Sequence, residues 1–455
     1  MTGSTGHEQH SGAPAAGVVG VWCTELELSD SDRTDAAELR VPAGSTAGEV
    51  RVLLRAHGRP VAFVQLPLTD GAATVGAVHA AMDPATAQLA ERELAAGPSP
   101  AVPADERISV VVCTRNRPDE LVGCLDGLAA LRDPDVEIVI VDNAPSDDRT
   151  EQVVRRYAAR DPRFRYVREP RPGLSCARNR GLLEATGELL AYTDDDVRVD
   201  PDWLTGLRRG FARRADVGCV TGLVATASLD TAAEHYFDAR VSWGDSCTAK
   251  VWDLHTTGES PLYPYSPGIF GTGANMAFRT ALLRRLGGFD EALGAGTRTK
   301  GGEDLDIFVQ VLLAGSSLAY EPSAVTWHRH RADLDALRSQ MYGYGTGLGA
   351  YLTKLLLGRR TRGDVLRRIP GGLAKLSKVS RTTSDAVSPA ASVSVPTRSL
   401  IIREFRGIVA GPVLYLLARR AVPAGGTPIG PGSDGQSSPR TRPGVRKDRT
   451  SSRAD

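Results

Sequence analysis

Strand-like and helix-like segments alternate along the middle of the chain, and this alternation constrains the fold more than any other feature. The run ISVVVCT (Ile108–Thr114) is apolar almost throughout, as a strand covered on both faces requires. An amphipathic segment beginning at Pro118 and a second apolar strand, EIVIVDN (Glu137–Asn143), follow it. A second helix, the strand FRYVRE, the helix SCARNRGLLEAT and the strand ELLAYTDDD continue the pattern. Such βαβ units predict an α/β fold with a parallel, doubly wound sheet, in which ligands bind at the carboxyl ends of the strands.

The sequence pattern differs on the two sides of this region. With 455 residues, 41% hydrophobic and 24% charged, the chain is too apolar to be wholly disordered or collagen-like, and its length suggests about three units. The run EVRVLLRAHGRPVAFVQLPL predicts a β-hairpin, and Asp83 with Pro84 predicts the start of a helix. We therefore expect disorder at 1–16, a small β-rich module at 17–100, the α/β domain at 107–332, a helical extension at 333–422 and a disordered tail at 423–455.

Charge is distributed unevenly, although the net charge of the whole chain is only +1. From Tyr351 to the end there are 20 Lys and Arg against six Asp and Glu. Such a basic segment either binds an anionic membrane surface or is a solvated tail. The segment after His330 predicts a helix with a glycine-rich interruption, and Ile401–Arg420 is an apolar run flanked by arginines. These stretches suit either the lipid headgroup region or packing on the catalytic domain.

Neither a signal peptide nor a disulfide framework is expected. The first residues lack a basic region followed by an apolar run, and the six cysteines form no CxxC pair. Reduced thiols indicate a cytoplasmic protein. If the basic extension binds a membrane and is not a solvated tail, the protein is expected to be peripheral on the inner face of the plasma membrane. We expect no nucleic-acid partner.

Three adjacent carboxylates, Asp194, Asp195 and Asp196, follow the fourth apolar strand. They repel one another unless a positive group neutralises them. Mg²⁺ and similar hard cations bind carboxylate oxygens and keep positions open for substrate phosphates. This pattern favours a metal–diphosphate site over a solvated acidic turn.

Other polar groups follow the neighbouring strands. Thr114–Arg117 follows the first strand, Asp142-Asn143 ends the second, and Arg178 lies in the third helix. A strand-end carboxylate can accept a hydrogen bond from a nucleotide base, and arginines bind phosphate oxygens. Each group alone is also typical of helix capping, but together they indicate a nucleotide site.

These segments resemble the family 2 glycosyltransferases of the GT-A fold, an inverting family. The motifs are CTRNRP, VDNAPSDD, GLSCARNRGLLEATGELLAYTDDDV, GTGANMAFR and GGEDLD, in this order, and the resemblance covers about residues 108–330. It implies a GT-A doubly wound mixed sheet. It also implies transfer of a sugar from a nucleotide-diphosphate sugar to an acceptor hydroxyl in cell-envelope polysaccharide, glycolipid or secondary-metabolite glycosylation. The acceptor would be a carbohydrate, a lipid-linked molecule or a small molecule.

The resemblance also implies a role for each site residue. The donor-binding residues would be Thr114, Arg115, Asp142, Arg178, Asp194 and Asp195. Asp196 of the DxD motif would bind Mn²⁺ or Mg²⁺ with His328, whereas a lone strand histidine is usually structural. Asp304, at the start of an apolar helix, would be the general base rather than a helix cap, with Glu303 and Asn275 on the acceptor side.

Several alternatives stay open from the sequence. The segment Gly294–Arg298 is similar to the phosphate loop of sugar nucleotidyltransferases, but it lies far from the first strand and is interpreted as a flexible acceptor-side loop. A glycoside hydrolase would need no nucleotide site. A non-catalytic nucleotide-sugar or membrane-binding module would need no base. Asn143 replaces the second aspartate of a common VDD motif, so the motif leaves the donor sugar open.

Overall fold

The computed structural model describes residues 18–30, 34–133, 135–241, 246–257, 260–266, 268–368 and 395–422. The segments predicted to be disordered, 1–16 and 423–455, lie outside these residues, as does 369–394 of the basic extension. The strands, in chain order, are β1 (Val21–Glu27), β2 (Glu38–Arg40), β3 (Glu49–Ala56), β4 (Arg59–Pro67), β5 (Ala72–Thr74), β6 (Ile108–Thr114), β7 (Val136–Asn143), β8 (Phe164–Glu169), β9 (Leu189–Asp194), β10 (Val197–Val199), β11 (Val217–Thr226), β12 (Ser228–Leu229), β13 (Lys250–Trp252), β14 (Asn275–Arg279) and β15 (Ser317–His328).

The helices occur between these strands and at the carboxyl end of the chain. In chain order they are α1 (Val75–Ala80), α2 (Pro84–Ala95), α3 (Pro118–Ala129), α4 (Arg149–Ala158), α5 (Leu174–Glu184), α6 (Trp203–Ala212), α7 (Ala232–Arg240), α8 (Thr280–Leu286), α9 (Glu303–Leu313), α10 (Leu334–Leu357) and α11 (Thr397–Ala421).

A mixed sheet in the order β10-β15-β11-β14-β9-β6-β7-β8, with β13 on β15, is the centre of the molecule. Strands β6 to β9 are parallel, and β14 runs antiparallel between β9 and β11. The apolar strands are covered on both faces: α3, α4 and α6 pack on one side, and α5, α8, α9 and α10 on the other. The α/β class and the GT-A type of mixed sheet predicted from the sequence are confirmed.

The amino-terminal module is β-rich, and its own four-stranded sheet includes one short strand, β12, of the α/β domain. The predicted hairpin is present as β3 and β4, and the Asp83 side chain accepts a hydrogen bond from the Thr86 amide at the start of α2. Strand β1 pairs with β3 on one side and with β12 on the other. Because β12 directly follows a strand of the central sheet, the module and the α/β domain are joined through backbone hydrogen bonds.

The carboxyl-terminal extension contains two long helices that run parallel to each other, since residue numbers rise together along their contact. The predicted glycine-rich interruption is wrong, because α10 is one continuous helix. Its glycines let α11 approach: a Cβ added at Gly345 would lie 2.0 Å from the Glu404 carbonyl oxygen, and one at Gly349 would lie 2.3 Å from that of Ile408. Among the residues that the structure describes, each helix is too short or too polar to cross a bilayer.

Candidate active site

The carboxyl ends of β6, β7 and β9 bring the predicted nucleotide-side residues together. These strands are parallel neighbours, with Thr114 opposite Asp142 and Cys113 opposite Asp194. The amino terminus of α9 and the end of β15 complete the same edge of the sheet, because Asp304 and His328 both act electrostatically on Asp194. The structure therefore places in one region groups that are more than two hundred residues apart in the chain, such as Thr114 and His328.

Asp142 lies near the carboxyl end of β7 at this edge of the sheet. Its side chain is fully buried; one carboxylate oxygen accepts a 3.0 Å hydrogen bond from the Tyr166 hydroxyl, and the other has no partner. Burial raises the pKa of Asp142 to about 6. A buried acceptor without a donor is costly, so a donor N–H group at this position would be bound favourably.

The structure gives a physical reason for asparagine at position 143. The Asn143 side chain donates to the carbonyl oxygen of Arg171 at 2.7 Å and accepts from the amide of Gly173 at 2.9 Å. A carboxylate can only accept hydrogen bonds, so aspartate here would lose the first contact. Asn143 therefore fixes the loop that leads into α5.

Asp195 is buried, and its carboxylate is held by protein groups. The Thr114 hydroxyl donates to one oxygen at 2.7 Å, and Arg117 pairs with the other at 2.7 Å. Burial raises the pKa of Asp195 to about 7, against the lowering effect of Arg117. Arg117 also contacts Asp196 at 3.2 Å. The sequence analysis placed the segment Thr114–Arg117 at the site but predicted no role for Arg117.

Asp196 and His328 face each other. Nε2 of His328 lies 3.4 Å from an Asp196 carboxylate oxygen, and β10 pairs with the end of β15 beside them. Burial alone would raise the pKa of Asp196, but the hydrogen bond from His328 and the charge of Arg117 lower it. Asp196 is therefore ionised, as a metal ligand must be.

These two side chains fit a divalent cation that also binds substrate. No group of three or more His, Cys, Asp or Glu side chains suited to a metal occurs among the described residues. Mg²⁺ is commonly held by one or two carboxylates together with substrate phosphates. Asp196 and His328 supply two ligands, which matches a cation that is completed by a diphosphate.

A buried arginine connects the end of β9 with the start of α9. Arg178 donates to the Glu303 carboxylate at 3.0 Å and to the Gly273 carbonyl at 3.2 Å, and it lies 3.5 Å from Asp194. Burial, followed by the adjacent charge of Asp304, raises the pKa of Glu303. Arg178 and Glu303 are thus buried beneath the site, where they position neighbouring groups and do not line its surface.

Asp304 is the more accessible carboxylate of the pair. It is partly exposed, whereas Glu303 is buried. One oxygen of Asp304 accepts a 3.2 Å hydrogen bond from the Gly273 amide, and the other accepts from the amide of Leu305 at 2.8 Å. Gly302, with φ of 90°, precedes them, and a Cβ there would meet the Gly347 carbonyl at 2.6 Å. The start of α9 is therefore held by α10.

Asn275 is not on the acceptor side, and this prediction needs correction. The residue is fully buried in β14. Its amide donates to the carbonyl oxygens of Leu223 and Ala324, and its oxygen accepts from the Trp203 indole. These three contacts leave no accessible group for a substrate, so Asn275 joins sheet strands.

Arg115 is exposed and points towards the loop Gly294–Arg298. A Cβ added at Gly296, which has φ of 78°, would lie 3.5 Å from the Arg115 guanidinium. The loop is also anchored to α5, since the Leu174 amide donates to the Ala295 carbonyl. Arg115 and this loop therefore lie next to each other at the rim.

Comparisons with known proteins identify the family of the chain. The family model described as Glycosyl transferase family 2 matches residues 109–287. Succinoglycan biosynthesis protein ExoM of Rhizobium meliloti is 32% identical over 267 residues, which are 56% of this chain and 77% of that protein. The pre-mycofactocin glycosyltransferase of Mycobacterium tuberculosis is 27% identical over 241 residues, 52% of this chain and 45% of that protein.

Solved structures show more distant similarity. A mannosyltransferase from Pyrobaculum calidifontis in complex with GDP-Man and Mn²⁺ superposes with a TM-score of 0.43 at 20% identity, over 71% of this chain and 88% of that one. TarS of S. aureus in complex with UDP-GlcNAc gives a TM-score of 0.37 at 15% identity, over 68% and 92% of the two chains.

Proposed function

The chain belongs to glycosyl transferase family 2, and from this premise we propose that it transfers a sugar from a nucleotide-diphosphate donor to an acceptor hydroxyl with inversion at the anomeric carbon. The observation that carries the proposal is the position of Asp304, which is accessible at the start of α9 next to the carboxylates that follow β9. A carbohydrate, a lipid-linked molecule and a small molecule all remain acceptor classes. Cell-envelope polysaccharide, glycolipid or secondary-metabolite glycosylation is the proposed setting.

The donor nucleotide would bind on the side of β6 and β7. The free oxygen of Asp142 would accept a base N–H group, and Thr114 lies opposite Asp142 in the sheet. Asp194 and Asp195 lie on the ribose and phosphate side, and the exposed guanidinium of Arg115 is available to phosphate oxygens. Arg117 neutralises Asp195 and Asp196 before the donor arrives.

Asp196 and His328 would hold a divalent cation, Mn²⁺ or Mg²⁺. When bound, such a cation neutralises the charge that develops on the departing diphosphate. Both side chains are only partly exposed, with 23% and 20% of their surfaces accessible. In this partly enclosed position, a cation that contacts a bound diphosphate is favoured over a cation that keeps its full hydration shell.

Asp304 would act as the general base. It takes the proton of the acceptor hydroxyl as that oxygen attacks the anomeric carbon, and the bond to the diphosphate oxygen breaks on the opposite face. A single base and in-line displacement give inversion. Glu303 and Arg178 act through their buried ion pair, which fixes the first turn of α9.

Two substitutions test this assignment by separating donor binding from transfer. Asp304→Asn should lower the transfer rate by about 10² to 10⁴ and leave metal-dependent donor affinity unchanged, because the base contacts the acceptor. Asp196→Asn should abolish Mn²⁺-dependent donor binding in a folded protein. The donor for these measurements is first identified by titrating the unmodified protein with a panel of nucleotide sugars, with and without Mn²⁺.

Asp335→Asn, at a side chain that is 89% exposed at the start of α10, is the matched control and should change neither property. Near-normal turnover in Asp304→Asn would mean that the base lies elsewhere. Undiminished Mn²⁺-dependent affinity in Asp196→Asn would contradict the metal site.

We also propose that α11 attaches the protein to an anionic membrane. Six apolar side chains on one face of α11 are between 41% and 63% exposed. This apolar ridge consists of Ile402, Phe405, Val409, Val413, Leu416 and Leu417. Five exposed arginines accompany it, at positions 398, 403, 406, 419 and 420. The only acidic side chain of α11, Glu404, is paired with Arg240 at 3.0 Å. Apolar and basic groups on one helix suit insertion among anionic headgroups.

A further inference from the structure

The ring of Tyr344, on α10, is exposed without belonging to an apolar surface. Two aromatic side chains are exposed among the described residues: Phe405, on the apolar ridge, and Tyr344, which is 39% exposed. Met341 and Gly347, about one turn from Tyr344 on either side, are buried. Single exposed apolar side chains are common, so the surroundings of this ring decide what it does.

A row of contacting rings leads from Tyr344 to the proposed metal ligand. The Tyr344 ring lies against Phe237 of α7, with centroids 6.0 Å apart and planes tilted by 44°. Phe237 packs edge-on against His330 at 4.8 Å between centroids, and the His330 ring lies 5.4 Å from that of His328. Tyr344 is therefore on the same side of the molecule as the metal ligand, where α10 borders the site.

The packing of α10 on α9 places the same ring beside the proposed base. A Cβ at Gly302 would meet the carbonyl oxygen of Gly347 at 2.6 Å, and Gly347 lies almost one turn after Tyr344. This stretch of α10 therefore contacts the residues that begin α9. Accordingly, the charges of Asp304 and Asp194 both act on the Tyr344 hydroxyl.

The Tyr344 hydroxyl keeps a proton that the protein does not use. The Gln340 side-chain amide donates to the hydroxyl oxygen at 3.3 Å, and within the described part of the chain the hydroxyl itself donates to no protein group. The amide oxygen of Gln340 also lacks a partner there. Burial, with the charges of Asp304 and Asp194 added, raises the pKa of Tyr344. The hydroxyl is therefore protonated and available as a donor.

A tyrosine on the opposite side of the central sheet shows what packing alone requires. Tyr157 of α4 lies against Phe164 with centroids 5.6 Å apart, and its hydroxyl donates to the Asp126 carboxylate at 2.6 Å. The Tyr157 ring is only partly exposed, and its hydroxyl proton has a protein acceptor. Tyr344 differs in both respects, although it also packs on a phenylalanine.

An exposed aromatic ring with an available hydroxyl proton, close to a carboxylate base, suits a sugar. The C–H bonds on one face of a pyranose ring are weakly positive, and they contact the negative face of an aromatic ring favourably. The hydroxyl groups at the edge of the sugar then pair with the few polar groups that fix its orientation. A lipid chain would instead require a continuous apolar surface, which the buried neighbours of Tyr344 do not provide.

We propose that the acceptor is a sugar whose pyranose ring lies on Tyr344, with the Tyr344 hydroxyl and the Gln340 amide as hydrogen-bonding partners and one sugar hydroxyl at Asp304. The proposal rests on the proposed function, because it takes Asp304 as the base that receives the acceptor proton. It narrows the acceptor classes to carbohydrates, free or attached to a lipid, and it gives α10 a part in binding them.

Transfer to simple sugars tests this proposal with the donor found by titration. The methyl glycosides of glucose, galactose, mannose and rhamnose, in both anomeric forms, are offered to the full-length protein with Mn²⁺, and at least one should be glycosylated. Tyr344→Leu keeps apolar volume and removes the ring, so it should raise the KM for that glycoside by roughly two- to tenfold with little change in kcat. Tyr344→Phe, which keeps the ring, should raise the KM less.

Two readouts separate acceptor binding from a general loss of structure. Donor affinity, and the slow hydrolysis of the donor by water when no glycoside is present, should be equal in Tyr344→Leu and the unmodified protein. Tyr157→Leu is the matched control: it removes a ring with similar packing and should lower the melting temperature without changing the KM. An equal rise of the KM in Tyr157→Leu, or weaker donor binding in Tyr344→Leu, would overturn the proposal.

The source of the sugar is tested with the same glycoside attached to a lipid. The octadecyl glycoside in phosphatidylglycerol vesicles is compared with the methyl glycoside, and Tyr344→Leu should weaken the use of whichever form is preferred. Equal transfer to octadecanol in the same vesicles would contradict the proposal, because the protein would then recognise the lipid chain and not the sugar.

Failure of this proposal differs from failure of the proposed function. If no nucleotide sugar is bound or hydrolysed, the proposed function is wrong. If a donor is bound and hydrolysed, but no glycoside in either form is glycosylated, the sugar site on α10 alone is wrong.

Discussion

At the scale of single residues, the buried carboxylates of the site lower the stability of the folded protein. Burial raises the pKa of Asp142 to about 6 and that of Asp195 to about 7. A carboxyl group whose pKa is raised on folding stabilises the folded state in its protonated form. This contribution to stability is complete only below the pKa of the group in the unfolded chain, near 3.9. That stability is lost as the pH rises through the folded pKa. The site is therefore least stable at the neutral pH at which it would bind a donor.

Asp142→Asn should stabilise the protein at pH 8 while weakening donor binding. A shift from 3.8 to about 6 corresponds to about 3 kcal/mol at high pH, as an upper limit. The difference in the free energy of unfolding between the variant and the unmodified protein should decrease by about 1.5 kcal/mol as the pH falls from 8 to 5. Urea denaturation over this range measures it. Asp335→Asn should show no such trend, and a gain independent of pH would contradict the assigned cause.

The positions of the predicted site residues could be inferred where they depend on strand ends, and not where they depend on distant partners. Asp142 and Asp196 follow apolar strands, so their common edge could be inferred from the sequence. Asn275 resembles a site residue by its motif, but its environment comes from Leu223 and Ala324, which are 52 and 49 residues away. Such contacts are set by packing between strands, and local sequence does not show them.

At the scale of helices and strands, the pair of α10 and α11 depends on backbone contact. Gly345 and Gly349 of α10 face Gly407 and Gly411 of α11, and a Cβ at any of them would lie within 2.7 Å of backbone of the other helix. Local sequence predicts a break in α10 because glycine is a poor helix former. The close approach of α11 overrides that preference. The βα alternation, by contrast, was predictable because its signal lies within each segment.

Gly345→Ala should destabilise the carboxyl-terminal pair. Its Cβ would lie 2.0 Å from the Glu404 carbonyl oxygen, so the helices must separate, at a cost of about 1 to 3 kcal/mol. Gly363→Ala is the matched control, since a Cβ there meets nothing within 4 Å, and it should be neutral or slightly stabilising. Thermal and urea unfolding of both variants test this. Equal stability of the two would show that the glycines are not needed for contact.

At the scale of the whole molecule, the apolar ridge should determine membrane attachment. Phe405 and Val409 are 60% and 63% exposed, so Phe405→Ser with Val409→Ser removes apolar area without creating a cavity. Co-sedimentation with phosphatidylglycerol vesicles should be strong for the unmodified protein, weaker in high salt because charges are screened, and lost in the double variant. Leu254→Ser, at another exposed apolar side chain (43%), should sediment normally.

Light scattering of the same samples measures the oligomeric state and so tests the alternative that a second copy of the chain covers the apolar ridge. A dimer that becomes monomeric in the double variant, with vesicle binding unchanged, would assign the ridge to a second copy of the chain. Vesicle binding that the double variant retains in a monomeric protein would contradict both assignments.

The contacts that join the amino-terminal module to the α/β domain have a consequence for synthesis on the ribosome. Arg51 and Arg55 are made 187 and 145 residues before their partners, Asp238 and Asp200. At typical elongation rates the longer gap lasts about 10 to 40 seconds. Leu53 must wait for the apolar residues that cover it, Leu223 and Val325 among them. Strand β3 is therefore covered only late in synthesis, and its apolar side chains need protection by a chaperone until then.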